Sequence, residues 1–305
     1  MTARSYLYVP GNAPRMFAKA SDRGADALIF DLEDAVPPAA KASSRNLVSA
    51  WLQERGPDVT PPAWVRVNPI RGLMEDDIAT VVHPGLAGLY VPKAEDPDTL
   101  EEIAAFLDDL EKERATSSIL LAPIIESAAG LQAVSELAAA RRVSHLAMGE
   151  ADLAADLGIS ASEDEREWIS IRIQVVIASA AAGIQPPSGA ARIDIADLDG
   201  LRTSSERLYR LGFRARSAVH PSQVPVINDV FTPSRAEVAA ARRVVELYED
   251  ALSHESGVVL DDRGRMIDEA VVRSAREVLT RAERISADSS NPQAERLAST
   301  ESVNT

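Results

Sequence analysis

Short apolar runs recur along the chain, and each leads into a polar residue. ALIF (Ala27 to Phe30) leads to Asp31 through Asp34, WVRVN (Trp64 to Asn68) carries Arg66, and LYVP (Leu89 to Pro92) precedes Lys93. ILLAPII (Ile119 to Ile125) ends at Glu126, HLAMGEA (His145 to Ala151) at Asp152, and ARSAV (Ala215 to Val219) at His220. Runs of this length read as buried strands, and stretches with helical spacing lie between most of them. The alternation predicts a (β/α)8 TIM barrel, in which the C-terminal strand ends converge on one mouth. The polar positions would then meet in space.

The individual elements follow from the same pattern. A first strand, Tyr6 to Val9, is stopped by Pro10-Gly11, and a helix opens near Pro14. A second helix is expected from about Ala40 to Gln53, strands at Trp64 to Val67 and Gly88 to Pro92, and an amphipathic helix over Asp98 to Glu113. In that helix Leu100, Ile103, Leu107 and Leu110 share one face. Strands at Ile119 to Ile125 and Leu146 to Met148 precede a long helix, about Glu165 to Ala182. The seventh strand is the least marked, because AGIQPPSG (Ala182 to Gly189) holds two prolines and only a short extended piece. The eighth ends at Val219.

The pattern changes near residue 230, which divides a barrel (1–230) from a C-terminal helical and hairpin extension (231–285). Ser234, with Glu237 three residues on, forms a capping box for a helix to about His254. VVLDDRGRMI (Val258 to Ile267) reads as a hairpin, and a last helix is expected over Glu269 to Ile285. Residues 286–305 are polar with little periodicity and are expected to be disordered.

Length agrees with this layout, since 305 residues exceed the roughly 250 that a barrel requires. A formal charge of −15 argues against a nucleic-acid partner, which needs a basic footprint. The chain has no cysteine, so it forms no disulfide and offers no thiolate. MTARSYLYVPGN lacks the apolar core of a signal peptide, and no run approaches the roughly 20 apolar residues of a membrane span. A soluble, cytoplasmic protein without a membrane partner is expected.

Candidate chemistry starts from Glu126 and Asp152. Two carboxylates on neighbouring strand ends suit one hard divalent cation such as Mg²⁺, although each would equally well cap the helix that follows it. Arg66, flanked by Val65 and Val67, is a candidate carboxylate clamp. A structural pair with Glu33 or Asp34 is compatible with that role. Asp31, Glu33 and Asp34 would ligate the metal or hold its waters.

These stretches resemble the citrate lyase beta-subunit family, within the HpcH/HpaI aldolase/citrate lyase superfamily that includes malyl-CoA and citramalyl-CoA lyases. The matching segments are RSYLYVPGNAPRMFAKA (Arg4 to Ala20), GADALIFDLEDAVPPAAKASSR (Gly24 to Arg45), WVRVN, YVPKAE (Tyr90 to Glu95) and APIIESAAG (Ala122 to Gly130). They continue with MGEADLAADLG (Met148 to Gly158), AVHPSQVPVINDVFTPS (Ala218 to Ser234) and GRMID (Gly264 to Asp268). The resemblance implies Mg²⁺ as cofactor and a CoA thioester as substrate. Glu126 and Asp152 would be the metal ligands, Arg66 the arginine on the oxyacid or thioester carbonyl, and Glu33 with Asp34 the acidic pair near the metal waters. Arg15 and Lys19 fall where CoA phosphates are expected. Asp268, in MID, would be a general acid/base closing over a neighbouring subunit's site in a homotrimer or dimer of trimers.

The chain departs from the family pattern in two places. Ala215-Arg216, beside Arg214, replaces a Gly-Lys pair, and QPPSGAARIDIADLDG around the seventh strand lacks the usual apolar run. Both are expected to flank the mouth. His220 in HPSQ reads mainly as loop architecture. The implied activity is a Mg²⁺-dependent retro-aldol or Claisen-type carbon–carbon lyase on a 3-hydroxyacyl-CoA such as malyl-CoA, citramalyl-CoA or citryl-CoA. A thioester hydrolase built on the same site, and a non-catalytic or complex subunit of a citrate lyase system, are the alternatives.

Overall fold

The computed structural model describes residues 3–57 and 60–289. They fall into two compact units, one ending at Phe231 and the other beginning at Thr232. In the first, eight parallel strands close into a barrel in sequence order, with the last pairing back onto the first. The strands are β1 (Ser5–Pro10), β2 (Ala27–Asp31), β3 (Ala63–Arg66), β4 (Leu86–Val91), β5 (Leu120–Ile125), β6 (Ala147–Met148), β7 (Ser188–Gly189) and β8 (Ala215–Ala218). Among the described residues these α-helices accompany them: α1 (Pro14–Ala20), α2 (Lys41–Arg55), α3 (Arg71–Val81), α4 (Pro97–Arg114), α5 (Ala128–Gln132), α6 (Val134–Ala139), α7 (Glu150–Leu157), α8 (Ile169–Ala182), α9 (Leu198–Leu211) and α10 (Val224–Phe231).

Period-2 alternation sorts the strand side chains into two cores. Leu7, Leu28, Phe30, Val65, Leu89 and Leu121 pack outward with the helices. Tyr6, Ile29, Trp64, Tyr90, Ala122, Ile124, Ala147 and Ala215 fill the interior. An aromatic plug lies at its centre, where Tyr6 stacks on His145 at 5.1 Å and Trp64 and Tyr90 meet both edge-on. Gly88 makes room for it, because a Cβ there would lie 2.2 Å from the Trp64 ring.

One step further along each strand, the same alternation turns Tyr8, Asp31, Arg66 and Glu126 inward above the plug. The β2–β3 register sets Asp31 directly beside Arg66. The site is therefore a product of strand parity and register.

The second unit holds α11 (Arg235–Ser253), a hairpin of β9 (Val259–Leu260) and β10 (Met266–Ile267), and α12 (Glu269–Ser289). The Ser234–Glu237 capping box forms as the sequence predicts. Tyr248, Ile267 and Val272 make a small core of their own. The seventh strand is the short piece that the sequence predicts, Ser188–Gly189, since Pro186 and Pro187 remove ladder donors just before it. One expectation needs correction: residues 286–289, expected to be disordered, continue α12, whereas 290–305 lie outside the described residues.

Candidate active site at the barrel mouth

Arg66 is the hub. Its Nε and Nη2 donate to the two Asp31 oxygens at 2.7 and 2.8 Å, a bidentate pair that strand register dictates. Nη1 faces Glu33 Oε2 at 2.8 Å, off the line of a hydrogen bond, and Asp34 at 3.6 Å. The guanidinium also lies over the Tyr8 ring, 5.1 Å from its centroid. Asp31 is buried and uses the same oxygens to hold the amides of Glu33 and Ala35, so it shapes the acidic loop as well as pairing Arg66. Lys41 Nζ ties down that loop by donating to the carbonyls of Leu32 and Glu33.

Glu126 stands across the mouth from this cluster on the end of β5 and is 5% exposed. Its Oε1 accepts from the Lys93 amide at 2.7 Å, which Lys93 can present because its backbone turns left-handed (φ 49°). Its Oε2 leans on Gly149, where an added Cβ would sit 2.4 Å away. Burial, opposed by the Lys93 amide and reinforced by the nearby Asp152 charge, raises the Glu126 carboxyl to about 7. Burial does the same to Glu33, against the pull of Arg66. Tyr8 is likewise pushed upward by burial. Burial works against the Arg66 charge too, but the Asp31 pair outweighs it and holds the guanidinium firmly cationic. Asp152 departs from the strand-end expectation. β6 stops at Met148, and Asp152 sits exposed in the first turn of α7.

This arrangement crowds carboxylates that are costly to keep ionised without a counter-charge. Glu126 and Asp152 offer only hard oxygens, the donors that Mg²⁺ takes singly or in pairs with waters and substrate completing its shell. Among the described residues no set of three or more His, Cys, Asp or Glu side chains is arranged for a metal. Tyr8 is a site residue that the apolar-run pattern does not single out. Its signal is the alternation of Tyr6 and Tyr8 in SYLYVP.

Residues 4–221 match the family described as HpcH/HpaI aldolase/citrate lyase. The chain belongs to that family. Among its relatives is citrate lyase subunit beta of Leuconostoc mesenteroides subsp. cremoris, 32% identical over 90% of this chain and 92% of that one. A (3S)-malyl-CoA thioesterase and an L-malyl-CoA/beta-methylmalyl-CoA lyase of Cereibacter sphaeroides are 31% and 30% identical, each over 93% of this chain and 96% of the relative. Of solved structures, CitE from Mycobacterium tuberculosis in complex with magnesium, acetoacetate and coenzyme A superposes with a TM-score of 0.73 at 29% identity, covering 92% of this chain and 97% of that one.

Within this HpcH/HpaI member, the other candidates drawn from the sequence each have surroundings of their own. Arg15 and Lys19 are exposed on α1. His220 is exposed and caps a single helical turn over Pro221–Gln223, its Nδ1 accepting from the Ser222 amide at 3.2 Å. Asp268, in the second unit, accepts from the Val271 amide at 3.0 Å and so caps α12. Arg216, expected to flank the mouth, is instead buried behind β8, donating to the Ala190 carbonyl and to Ser204 and Ser205 of α9. The parity of β8 explains this, because Ala215 and Ser217 take the opposite face. Arg214 lies over the Tyr209 ring, 4.8 Å from its centroid. Among the described residues no helix is long and apolar enough to cross a membrane.

Proposed function

We propose that this protein is a Mg²⁺-dependent carbon–carbon lyase acting on a 3-hydroxyacyl-CoA thioester such as malyl-CoA, citramalyl-CoA or citryl-CoA. The observation that carries this reading is the crowding of desolvated carboxylates, Glu33 and Glu126, around one arginine at the barrel mouth of a member of this family. Magnesium and coenzyme A in the CitE complex support the cofactor and the carrier.

Glu126 and Asp152 would hold the Mg²⁺, which when bound supplies Lewis-acid polarisation of substrate oxygens and a template for their orientation. Arg66, fixed by Asp31, points Nη1 at Glu33 and Asp34, and it is this edge that would meet the oxyacid carboxylate or thioester carbonyl. Cleavage removes the proton from the substrate 3-hydroxyl, breaks the C2–C3 bond and leaves a thioester enolate. Glu33, with Asp34 beside it, is our candidate to take that proton, since an acid raised to about 7 exchanges protons readily at neutral pH. The Arg66 charge stabilises the enolate. Asp268 would then protonate it, delivered by a neighbouring subunit of a trimer or dimer of trimers. Arg15 and Lys19 would meet the CoA phosphates in a cytoplasmic enzyme without nucleic-acid or membrane partners.

The thioesterase relative favours a second reading, in which the same site directs water at the thioester carbonyl and releases free CoA. The relative named citrate lyase subunit beta keeps a complex-subunit role as a third. One assay separates them. Malyl-, citramalyl- and citryl-CoA are incubated with enzyme and Mg²⁺, and glyoxylate, pyruvate, oxaloacetate and free CoA are quantified. A 2-oxoacid released together with an acyl-CoA supports the lyase, and CoA without oxoacid supports the hydrolase. No product from any thioester, or rates unchanged by EDTA, rejects the Mg²⁺-dependent enzyme.

A further inference from the structure

The turn that joins β6 to α7 has little backbone to hold it. β6 contributes only two residues, and its end is fixed by the Gly149 amide, which donates to the Ile125 carbonyl at 3.0 Å. This turn nevertheless presses Gly149 against Glu126 and carries Asp152 three residues later. The missing rigidity is supplied from behind. Glu150, in the first turn of α7, accepts from Arg172 Nε at 2.7 Å and Nη2 at 2.9 Å, a bidentate pair. Arg172 comes from α8, is 1% exposed, and sends Nη1 to Glu165 at 2.8 Å. Burial disfavours the Glu165 charge, and Arg172 together with the nearby Arg216 outweighs it. Arg216 is itself buried against Ser204 and Ser205. Two buried arginines and two carboxylates thus form one network between the strands and α8.

A buried ion pair is a poor means of stabilising a fold, because desolvation offsets most of the attraction and an apolar pair of the same volume does as well or better. What a bidentate arginine provides is a fixed direction. Here that direction ends two residues from Asp152.

We propose that Arg172 is a positioning residue for Asp152: through Glu150 it fixes the first turn of α7, so that the Asp152 carboxylate stays beside Glu126 in a geometry that lets both hold one divalent cation. This rests on the metal reading of Glu126 and Asp152 given above. Supporting carboxylates and their partners behind metal ligands typically govern affinity by about 10- to 100-fold.

The test is Mn²⁺ binding followed by electron paramagnetic resonance, Mn²⁺ sharing the hard octahedral oxygen preference of Mg²⁺. Arg172→Lys keeps the charge and loses the fork. Glu150→Gln keeps the volume and loses half of the pair, and it decides the case should Arg172→Lys not fold. Arg4→Lys, which weakens the Arg4–Asp26 pair at the start of β1, is the control for a purely structural lesion. Both clamp variants are expected to raise the Mn²⁺ Kd by about 10-fold or more with unchanged circular dichroism, whereas Arg4→Lys lowers Tm and leaves Kd alone. A Kd within threefold of wild type in the folded clamp variants overturns the positioning role. Wild-type protein that binds no Mn²⁺ overturns the metal reading itself, a result distinguishable from the first.

Discussion

Arg66 forks onto Asp31 and turns its remaining nitrogen toward Glu33 and Asp34, and a lysine in its place would present one charge without the fork. Arg66→Lys should therefore reduce kcat/KM on the order of a hundredfold, as the loss of one aimed donor does elsewhere. Activity within threefold of wild type would remove Arg66 from the reaction. Asp152 offers a cleaner lesion than Glu126, because it is exposed, whereas Glu126 also satisfies the Lys93 amide. Asp152→Ala should abolish Mg²⁺-dependent turnover while Tm stays within the small range of a surface substitution. Near-normal turnover in that variant would mean that the metal lies elsewhere. These side chains stand out in the sequence because each follows an apolar run. Their partners do not. Nothing in WVRVN says that Asp31, and not Glu33 or Asp34, takes the arginine's fork, since that follows from the β2–β3 register. GEAD continues an apolar run and so points to a strand end at Asp152, yet Gly149 ends the strand early by yielding to Glu126.

The elements with strong periodicity, such as α4 with Leu100, Ile103, Leu107 and Leu110 on one face, lie close to where the sequence places them. β7 does not, for two residues carry no pattern and are strand only because β6 and β8 flank them. The aromatic plug is the element-scale feature with the clearest consequence for stability. His145 is fully buried in it, contacted by Tyr90 Oη at 3.0 Å and Ser144 Oγ at 2.9 Å, and burial lowers its pKa from 6.5 to about 3. The folded state thus keeps the ring neutral at pH values where the unfolded chain protonates it. Between those two values the unfolded state binds more protons, so stability is complete above about pH 6.5 and falls as the pH drops. At pH 5 the loss due to this residue is about 2 kcal/mol. Denaturant titrations of wild type and His145→Gln should converge in their pH dependence above pH 7 and diverge below 6. Parallel curves over pH 5 to 7 would show that His145 does not titrate in this way.

At the scale of the whole molecule, the two units each have their own core, and the proposed acid Asp268 and the proposed metal ligands belong to different ones. If Asp268 serves a neighbour's site, mixed oligomers of Asp268→Asn and Asp152→Ala protomers should recover part of the activity that each lacks alone. No recovery after subunit exchange, checked by native mass spectrometry, would confine Asp268 to its own chain or remove it from catalysis. The barrel wall is also uneven. β1 to β5 run four to six residues each, whereas β6 and β7 have two apiece and meet through the single pair Ala147 and Ser188. A cylinder with one thin stave opens there first. Backbone amides at 147–149 and 188–189 should exchange with deuterium well before those of β2 to β4, through local openings that leave the rest of the wall closed. A divalent cation shared by Glu126 and Asp152 would bridge the stave to its neighbour, so adding Mg²⁺ should slow exchange at this seam selectively. The weakly held seam of the barrel would then report, residue by residue, whether its site is filled.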